Sequence, residues 1–370
     1  MKVCIDIQAA IAQRAGVGRY TKALVEHLGA LAGDDELALF YFDFQRKGTP
    51  FPVAGAGQKA VRWCPGRVVQ KAWKEIGWPP FDWLAGPADV YHFPNFILPP
   101  LTRGKSVVTI HDTSFLRHPE TTEEKNLRYL NAKIRDTVRR ADAIITDSVF
   151  SAMEIETLLK APREKLHPVL LGLPGDLRRP AGEAVREVRS RHSLARPYLL
   201  LVGTLEPRKN VPFLVEVFEK LGGFDGDLVI AGMRGWKYEP ILQRMQVSPR
   251  RERIRYLEYV DEEDLPALYA GAELFVFPSF YEGFGFTPLE AMACGTPVIA
   301  SSAGSLPEVL GGAAELVEAF DTDEWTARVG ALLADRGRCE QLRVRGLEHV
   351  KRFDWNETAR KTWNVYRGVV

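Results

Sequence analysis

The sequence predicts an α/β protein: two Rossmann-like domains facing a central cleft, with a C-terminal helix crossing back to the first domain. Three observations predict it. Short β-branched runs alternate with amphipathic segments, the alternation pauses in a polar, basic stretch at mid-chain and restarts, and 370 residues exceed one ordinary core. The expected division is 1–180, then 181–352, then a terminal helix over 353–370.

The first strand is expected from Lys2 to Ala9. A turn, Ala15-Gly16-Val17-Gly18, then leads into a helix carrying Leu24, Val25 and Leu28. Strands follow at Leu37 to Phe42, Val90 to His92, Ser106 to His111 and Ala143 to Asp147, with helical periodicity such as Asn126 to Arg140 between them. Such alternation implies a mostly parallel sheet covered on both faces.

Between Leu177 and Arg196 the chain turns polar and basic, with Pro180 and Pro197 near its ends, and the linker is placed there. The second series has strands near Tyr198 to Gly203, Asp227 to Ala231, Ile254 to Leu257, Leu274 to Pro278 and Val298 to Ser301. Asp354 to Tyr366, with Trp355, Trp363 and Tyr366, reads as an amphipathic helix packed down on the protein.

Composition narrows the class. With 46% apolar and 26% charged residues the chain is expected to fold throughout. Residues 1–180 hold 25 Lys and Arg against 20 Asp and Glu, and the remainder 24 against 28. An excess of five cations over a whole domain is too thin for a nucleic-acid footprint, so no nucleic-acid partner is expected. The four cysteines show no CxxC spacing, and the opening residues lack a charged leader with a long apolar run, so reduced thiols and a cytoplasmic location are expected. No stretch approaches the ~18 apolar residues that span a bilayer.

The most informative segment runs from Phe277 to Glu290. An apolar strand ends, a glycine-rich turn follows, and a helix begins. Backbone N–H groups from Gly283 to Leu289, through Phe284, Gly285, Phe286 and Thr287, are expected to converge at a helix start, where a phosphate or hydroxyls are favoured. Glu282, between aromatics and the Gly-Phe-Gly turn, is expected to bind hydroxyls rather than to be a solvated loop charge. Glu290 has two readings: a ligand, or the last member of a capping box starting at Thr287.

Gly203 to Asn210 places Arg208 and Lys209 at the carboxyl edge of the second sheet, where open α/β sheets bind ligands. Their forked and point charges suit a departing diphosphate; an exposed basic turn is the bland alternative. In the first domain Ser106 to Asp112 ends in His111 and Asp112 at the corresponding edge. Gly16 and Gly18 fall short of a full GxGxxG, and His92 and Asn95 either face the cleft or close a loop. The triplets Asp225 to Asp227 and Asp321 to Asp323 sit in turn-like contexts, so no metal is expected.

Glu282 and Glu290 at E-x7-E spacing, the Gly-Thr-Leu-Glu-Pro-Arg-Lys-Asn run and the strand ending in His-Asp together resemble glycosyltransferase family 4, of GT-B architecture. The agreement covers nearly the whole chain. The resemblance implies a retaining, metal-independent hexosyltransferase without a cofactor, its nucleotide-sugar being a co-substrate. The diphosphate would lie against Arg208 and Lys209 with Gly16 approaching, Glu282 would hold donor sugar hydroxyls, Glu290 the ribose, and the loop at Tyr259 and Val260 would border the base. His111 matches the family histidine near the reacting carbon, with Asp112, His92 and Asn95 on the acceptor side.

Gln13 to Thr21 and His111 to Phe115 look most like bacterial polysaccharide mannosyltransferases. That implies GDP-mannose as donor and a glycan or lipid-linked acceptor, with a UDP-sugar transferase as the alternative. A nucleotide-sugar 2-epimerase, an NAD-dependent dehydrogenase and a non-catalytic two-lobed sugar-binding protein are the competing classes. Arg67 to Trp83, mixing Lys71 and Lys74 with Trp73, Trp78 and Trp83, is either a helix packed on its own domain or a peripheral membrane face.

Overall fold

The computed structural model describes residues 1–12 and 16–370. Gln13, Arg14 and Ala15, the last of which opens the expected glycine turn, lie outside the described residues. The chain separates into two compact units, one of Met1–Leu116, Lys125–Gly172 and Asp354–Val370, the other of Arg117–Glu124 and Leu173–Phe353.

The first unit holds β1 (Lys2–Asp6), β2 (Glu36–Phe42), β3 (Ala56–Val61), β4 (Val90–Phe93), β5 (Lys105–Thr109), β6 (Ala143–Thr146) and β7 (Leu166–Pro168), ordered β3-β2-β1-β4-β5-β6-β7. Every adjacent pair is parallel. All residues of β4 and β6 are buried, as continuous apolar strands sandwiched by helices must be. The β3 strand escapes the sequence reading because Ala56-Gly57-Gln58-Lys59 offers no β-branched residue and lies exposed along the sheet edge.

The second unit holds β8 (Tyr198–Val202), β9 (Asp227–Ala231), β10 (Ile254–Leu257), β11 (Leu274–Phe277), β12 (Val298–Ser301) and β13 (Glu315–Val317), ordered β10-β9-β8-β11-β12-β13 and again parallel. Trp325, Phe218 and Leu214 are fully buried in its core. The expected linker is not an extended connection. It contains a helix, Gly182–Arg191, whose single buried residue is Val188, and the chain passes between units at Gly172.

The strand orders fix where ligands can bind. In the second sheet successive strands move outward from β8 in one direction, to β9 and β10, and then from β11 in the other. The carboxyl ends of β8 and β11 therefore flank the switch point, where the following loops diverge and leave a crevice. In the first sheet the corresponding pair is β1 and β4.

The helix Trp355–Val369 belongs to the first unit, as expected of a helix returning to it. It packs on the helix Val17–Leu31: Trp363 donates its indole N–H to the Leu28 carbonyl at 3.2 Å. Its Tyr366 hydroxyl lies 2.7 Å from His92 Nδ1.

Candidate active site

In the second unit, the loops leaving β8 and β11 are stitched to each other by backbone. Phe280 donates its N–H to the Arg208 carbonyl at 2.9 Å, and Ser279 Oγ lies 3.0 Å from the same oxygen. Arg208 and Lys209 close a single tight turn, Pro207–Lys209, which ends on Asn210 in the left-handed conformation before the helix Val211–Lys220 begins. These two side chains are thus presented by a rigid turn.

Both cations converge on Glu282, which is 6% exposed. Lys209 Nζ is 2.7 Å from Glu282 Oε1 and Arg208 Nη1 is 2.7 Å from Oε2. Ser279 Oγ adds a contact of 2.5 Å to Oε1. Arg208 also donates to the Tyr281 carbonyl and, through Nη2, to Glu206 at 2.7 Å. Burial alone would raise the Glu282 carboxyl, but Arg208 and Lys209 bring it down to about 2, so it is ionised under all physiological conditions. Glu282 is neither a solvated loop charge nor a proton donor.

The cluster contains two carboxylates, from Glu206 and Glu282, beside two cations, from Arg208 and Lys209. An incoming dianionic phosphate is attracted to the cations, and repelled unless Glu282 turns its charge onto hydroxyl donors. A sugar diphosphate offers both groups on one molecule.

The backbone around Glu282 is held by residues that sequence reasoning passed over. Ser305 donates its N–H to the Glu282 carbonyl at 2.9 Å and its hydroxyl to the Phe284 carbonyl at 3.0 Å. Gly304 has φ 64°, and a Cβ there would fall 2.4 Å from the Glu282 oxygen. Ser301 donates to the Ser279 carbonyl at 2.6 Å. The available signal was the small-residue run Ser301-Ser302-Ala303-Gly304-Ser305 leaving β12.

The helix after the turn begins at Phe286 with Gly285, φ 103°, as its N-cap, and no side chain caps it. Thr287 therefore lies inside the helix and the capping-box reading of Glu290 is not realised. Glu290 sits in the second turn, 3% exposed, and accepts a hydrogen bond from Tyr269 Oη at 2.9 Å. Phe284 is buried against Phe286 and Phe353, Val260 is buried and Tyr259 is exposed. The Gly283 backbone continues the turn between Glu282 and this helix.

In the first unit, Gly16 caps the helix Val17–Leu31 with φ 55° and ψ −119°, and Gly18 is buried within that helix rather than in the preceding loop. His111 is 9% exposed at the carboxyl edge. Its Nε2 donates to the Pro94 carbonyl at 3.0 Å, and its Nδ1 is 2.8 Å from Asp147 Oδ2. Burial opposes the imidazolium, yet Asp147 raises its pKa above the usual value. Both ring nitrogens are engaged, so Asp147 and the Pro94 carbonyl fix the orientation of the His111 ring.

Asp112 takes the N–H and hydroxyl of Ser114 on Oδ1, forming the turn into Ser114–Arg117. Asn95 is exposed. His92, expected on the acceptor side, is instead fully buried, bonded by Nε2 to Thr109 Oγ1 at 2.8 Å and by Nδ1 to Tyr366. Every residue of β4 is buried, so His92 lies in the core like its neighbours Tyr91 and Phe93. Of the two acidic triplets, Asp227 begins β9 and faces Arg253, while Asp321 caps the helix Thr322–Ala334 and Asp323 pairs with Lys220.

Residues 186–349 match the family described as glycosyl transferases group 1. Over 282 residues the chain is 37% identical to the O-antigen chain mannosyltransferase B of Escherichia coli, a match covering 75% of this chain and 74% of that one. It is 27% identical over 263 residues to the serotype-specific mannosyltransferase WbdA of Escherichia coli, covering 69% of this chain but 32% of WbdA. Among solved structures, sucrose-phosphate synthase from Thermosynechococcus elongatus superposes with a TM-score of 0.78 at 20% identity, covering 100% of this chain and 98% of that one, a likeness of fold.

Proposed function

This chain belongs to the group 1 glycosyltransferases and has their GT-B fold, and from that premise we propose that it moves mannose from GDP-mannose, with retention of configuration, onto a hydroxyl of a glycan or lipid-linked acceptor in cell-surface polysaccharide synthesis. The observation that carries the reading is the convergence of Arg208 and Lys209 on Glu282 at the switch point of the second sheet. Its likeness to an O-antigen chain mannosyltransferase supports the choice of sugar.

Arg208 and Lys209 bind the diphosphate and stabilise the charge that grows on it as the glycosidic bond breaks, which lowers the barrier because that charge is greatest in the transition state. Glu282 exchanges its cations for sugar hydroxyls, Glu290 takes the ribose hydroxyls, and the backbone of Gly283, Phe284, Gly285 and Phe286 completes the sugar pocket. Tyr259 and Val260 border the base. The departing phosphate oxygen takes the acceptor proton on the face it leaves, so retention needs no protein nucleophile. His111, held by Asp147 and the Pro94 carbonyl, orients the acceptor rather than acting as a base. The two cations fill the role a divalent metal would otherwise have, so turnover is expected to survive EDTA.

The test is thermal denaturation with GDP-mannose, UDP-glucose, UDP-GlcNAc and NAD in turn. A ligand at 100 times its dissociation constant adds about 2.7 kcal/mol. Stabilisation by GDP-mannose, followed by mannosyl transfer with the donor's anomeric configuration in the product, is expected. Stabilisation by UDP-glucose alone overturns the donor, and by NAD alone the whole reading.

A further inference from the structure

The first unit exposes large apolar side chains between Trp63 and Trp83 that the transfer site does not use. Trp63, Ile76, Trp78 and Trp83 are 71%, 70%, 56% and 61% exposed. The rings of Trp78 and Trp83 meet edge to face with centroids 6.5 Å apart, so these two indoles form one apolar patch. They follow the helix Gly66–Glu75, whose inner face is Val69 and Trp73. Trp73 packs against Phe42 and Phe81 and donates its indole N–H to the Pro79 carbonyl at 2.7 Å, so this tryptophan is structural.

The outer face is left to Arg67, Val68 and Lys71, all exposed. Lys74 lies 3.9 Å from the centroid of the Tyr129 ring, which brings alongside the helix Glu124–Arg140 with exposed Lys125 and Arg128. Two exposed carboxylates oppose these cations, Glu75 at 3.9 Å from Lys71 and Glu124 at the start of the second helix, while Asp82 is buried and turned toward Thr102.

Indoles favour the headgroup layer of a bilayer, and cations beside them favour anionic lipid. A second copy of the chain across a two-fold axis fits worse, because the same patch on both partners would set Arg67 and Lys71 against their own like charges. We propose that this face seats the protein on a bilayer bearing anionic phospholipid, with Trp78 and Trp83 entering the headgroup layer and Arg67, Lys71 and Lys74 against lipid phosphates. The assignment deepens the reading of a lipid-linked acceptor, and its test uses neither donor nor acceptor.

The full chain is floated with phosphatidylcholine vesicles with and without phosphatidylglycerol. Wild type is expected to rise with the anionic vesicles only, and to be released by salt. Each surface cation is worth about fivefold in partition, so Arg67→Glu with Lys71→Glu is expected to lower it well beyond tenfold. Trp78→Ser with Trp83→Ser is expected to lower it at low salt, where charge attraction persists. Circular dichroism melts matching wild type show that both variants fold. Wild-type partition in either double variant, partition indifferent to phosphatidylglycerol, or sedimentation showing a dimer that the tryptophan variant abolishes, each overturns the proposal. Failure here with donor stabilisation intact leaves the transfer reaction standing, and the reverse outcome leaves the membrane face.

Discussion

Lys209 Nζ and Glu282 Oε1, 73 residues apart in sequence, meet at 2.7 Å in a site where both side chains are buried. Removing Glu282 takes away the carboxylate that Lys209 meets, whereas removing Lys209 leaves Glu282 with Arg208 as its remaining cation. Lys209→Ala and Glu282→Ala are each expected to lower kcat about a hundredfold, since each removes charge stabilisation or positioning at the transition state. Steady-state transfer assays check this, and near-wild-type rates in both variants would remove the site assignment. Breaking a buried pair costs about 3–5 kcal/mol, so denaturant melts should show destabilisation alongside the lost rate.

Glu206 is the second carboxylate of the cluster and touches Arg208 from the side away from Glu282's oxygens, through Nη2 rather than Nη1. Its expected role is to aim the guanidinium. Glu206→Ala should raise the donor KM about tenfold with a smaller change in kcat, and Glu206→Gln, which keeps an acceptor, should recover most of the loss. A uniform fall in kcat with KM unchanged would argue against positioning.

Gly304 is expected to be intolerant for two separate reasons. Its φ of 64° disfavours any side chain, and a Cβ would collide with the Glu282 backbone. Gly304→Ala should cost about 1–3 kcal/mol and reduce turnover together, because relief of the clash moves Glu282. Unchanged turnover in a destabilised protein would separate the two effects and reject the link.

His92 and His111 should titrate in opposite senses. Burial, with a contribution from the His111 charge, lowers His92 to about 3, so stability from its neutral form is present above the unfolded value of 6.5 and is lost as pH falls from there toward 3. His111 is raised, so its contribution is complete below 6.5 and is lost as pH rises through its folded pKa. Histidine-selective NMR with these two rings assigned is expected to show His92 neutral down to about pH 3 and His111 still protonated above pH 6.5. Two rings titrating near 6.5 would contradict both assignments.

Tyr366→Phe removes the hydroxyl that His92 Nδ1 meets inside the core. The expected loss is about 1–3 kcal/mol in denaturant melts, with donor affinity unchanged. The absence of any destabilisation would show that the Tyr366–His92 contact does not help to hold the helix Trp355–Val369.

The alternating α/β pattern was legible because its strands are apolar on both faces, and ten of them lie where β-branched runs predicted. The strands that escaped, β3, β7 and β13, are short or lie at sheet edges, where burial no longer dictates composition. Glu282, Arg208 and Lys209 were legible because each follows an apolar strand. Their coupling was not, since it depends on β8 and β11 being neighbours, a fact of topology. His92 misled for the opposite reason: a polar residue at a strand's end reads as a ligand, and only the arrival of Tyr366 from 274 residues away shows it as core.

Glu290 shows a local rule giving way to a tertiary one. The Thr-Pro-Leu-Glu spelling fits a capping box, but the helix starts at Phe286, two residues earlier than that motif requires. Gly285 supplies the left-handed entry, and Glu290 meets Tyr269 instead.

The first unit is completed by Trp355–Val369, which the chain reaches only after the whole second unit. During synthesis the two halves therefore mature in inverse order. The second unit can close as soon as Phe353 has left the ribosome, while the earlier-made sheet waits with Leu28 and His92 lacking their partners on that helix. A nascent chain stalled before Trp355 would hold a complete second unit and a first unit still missing its last helix.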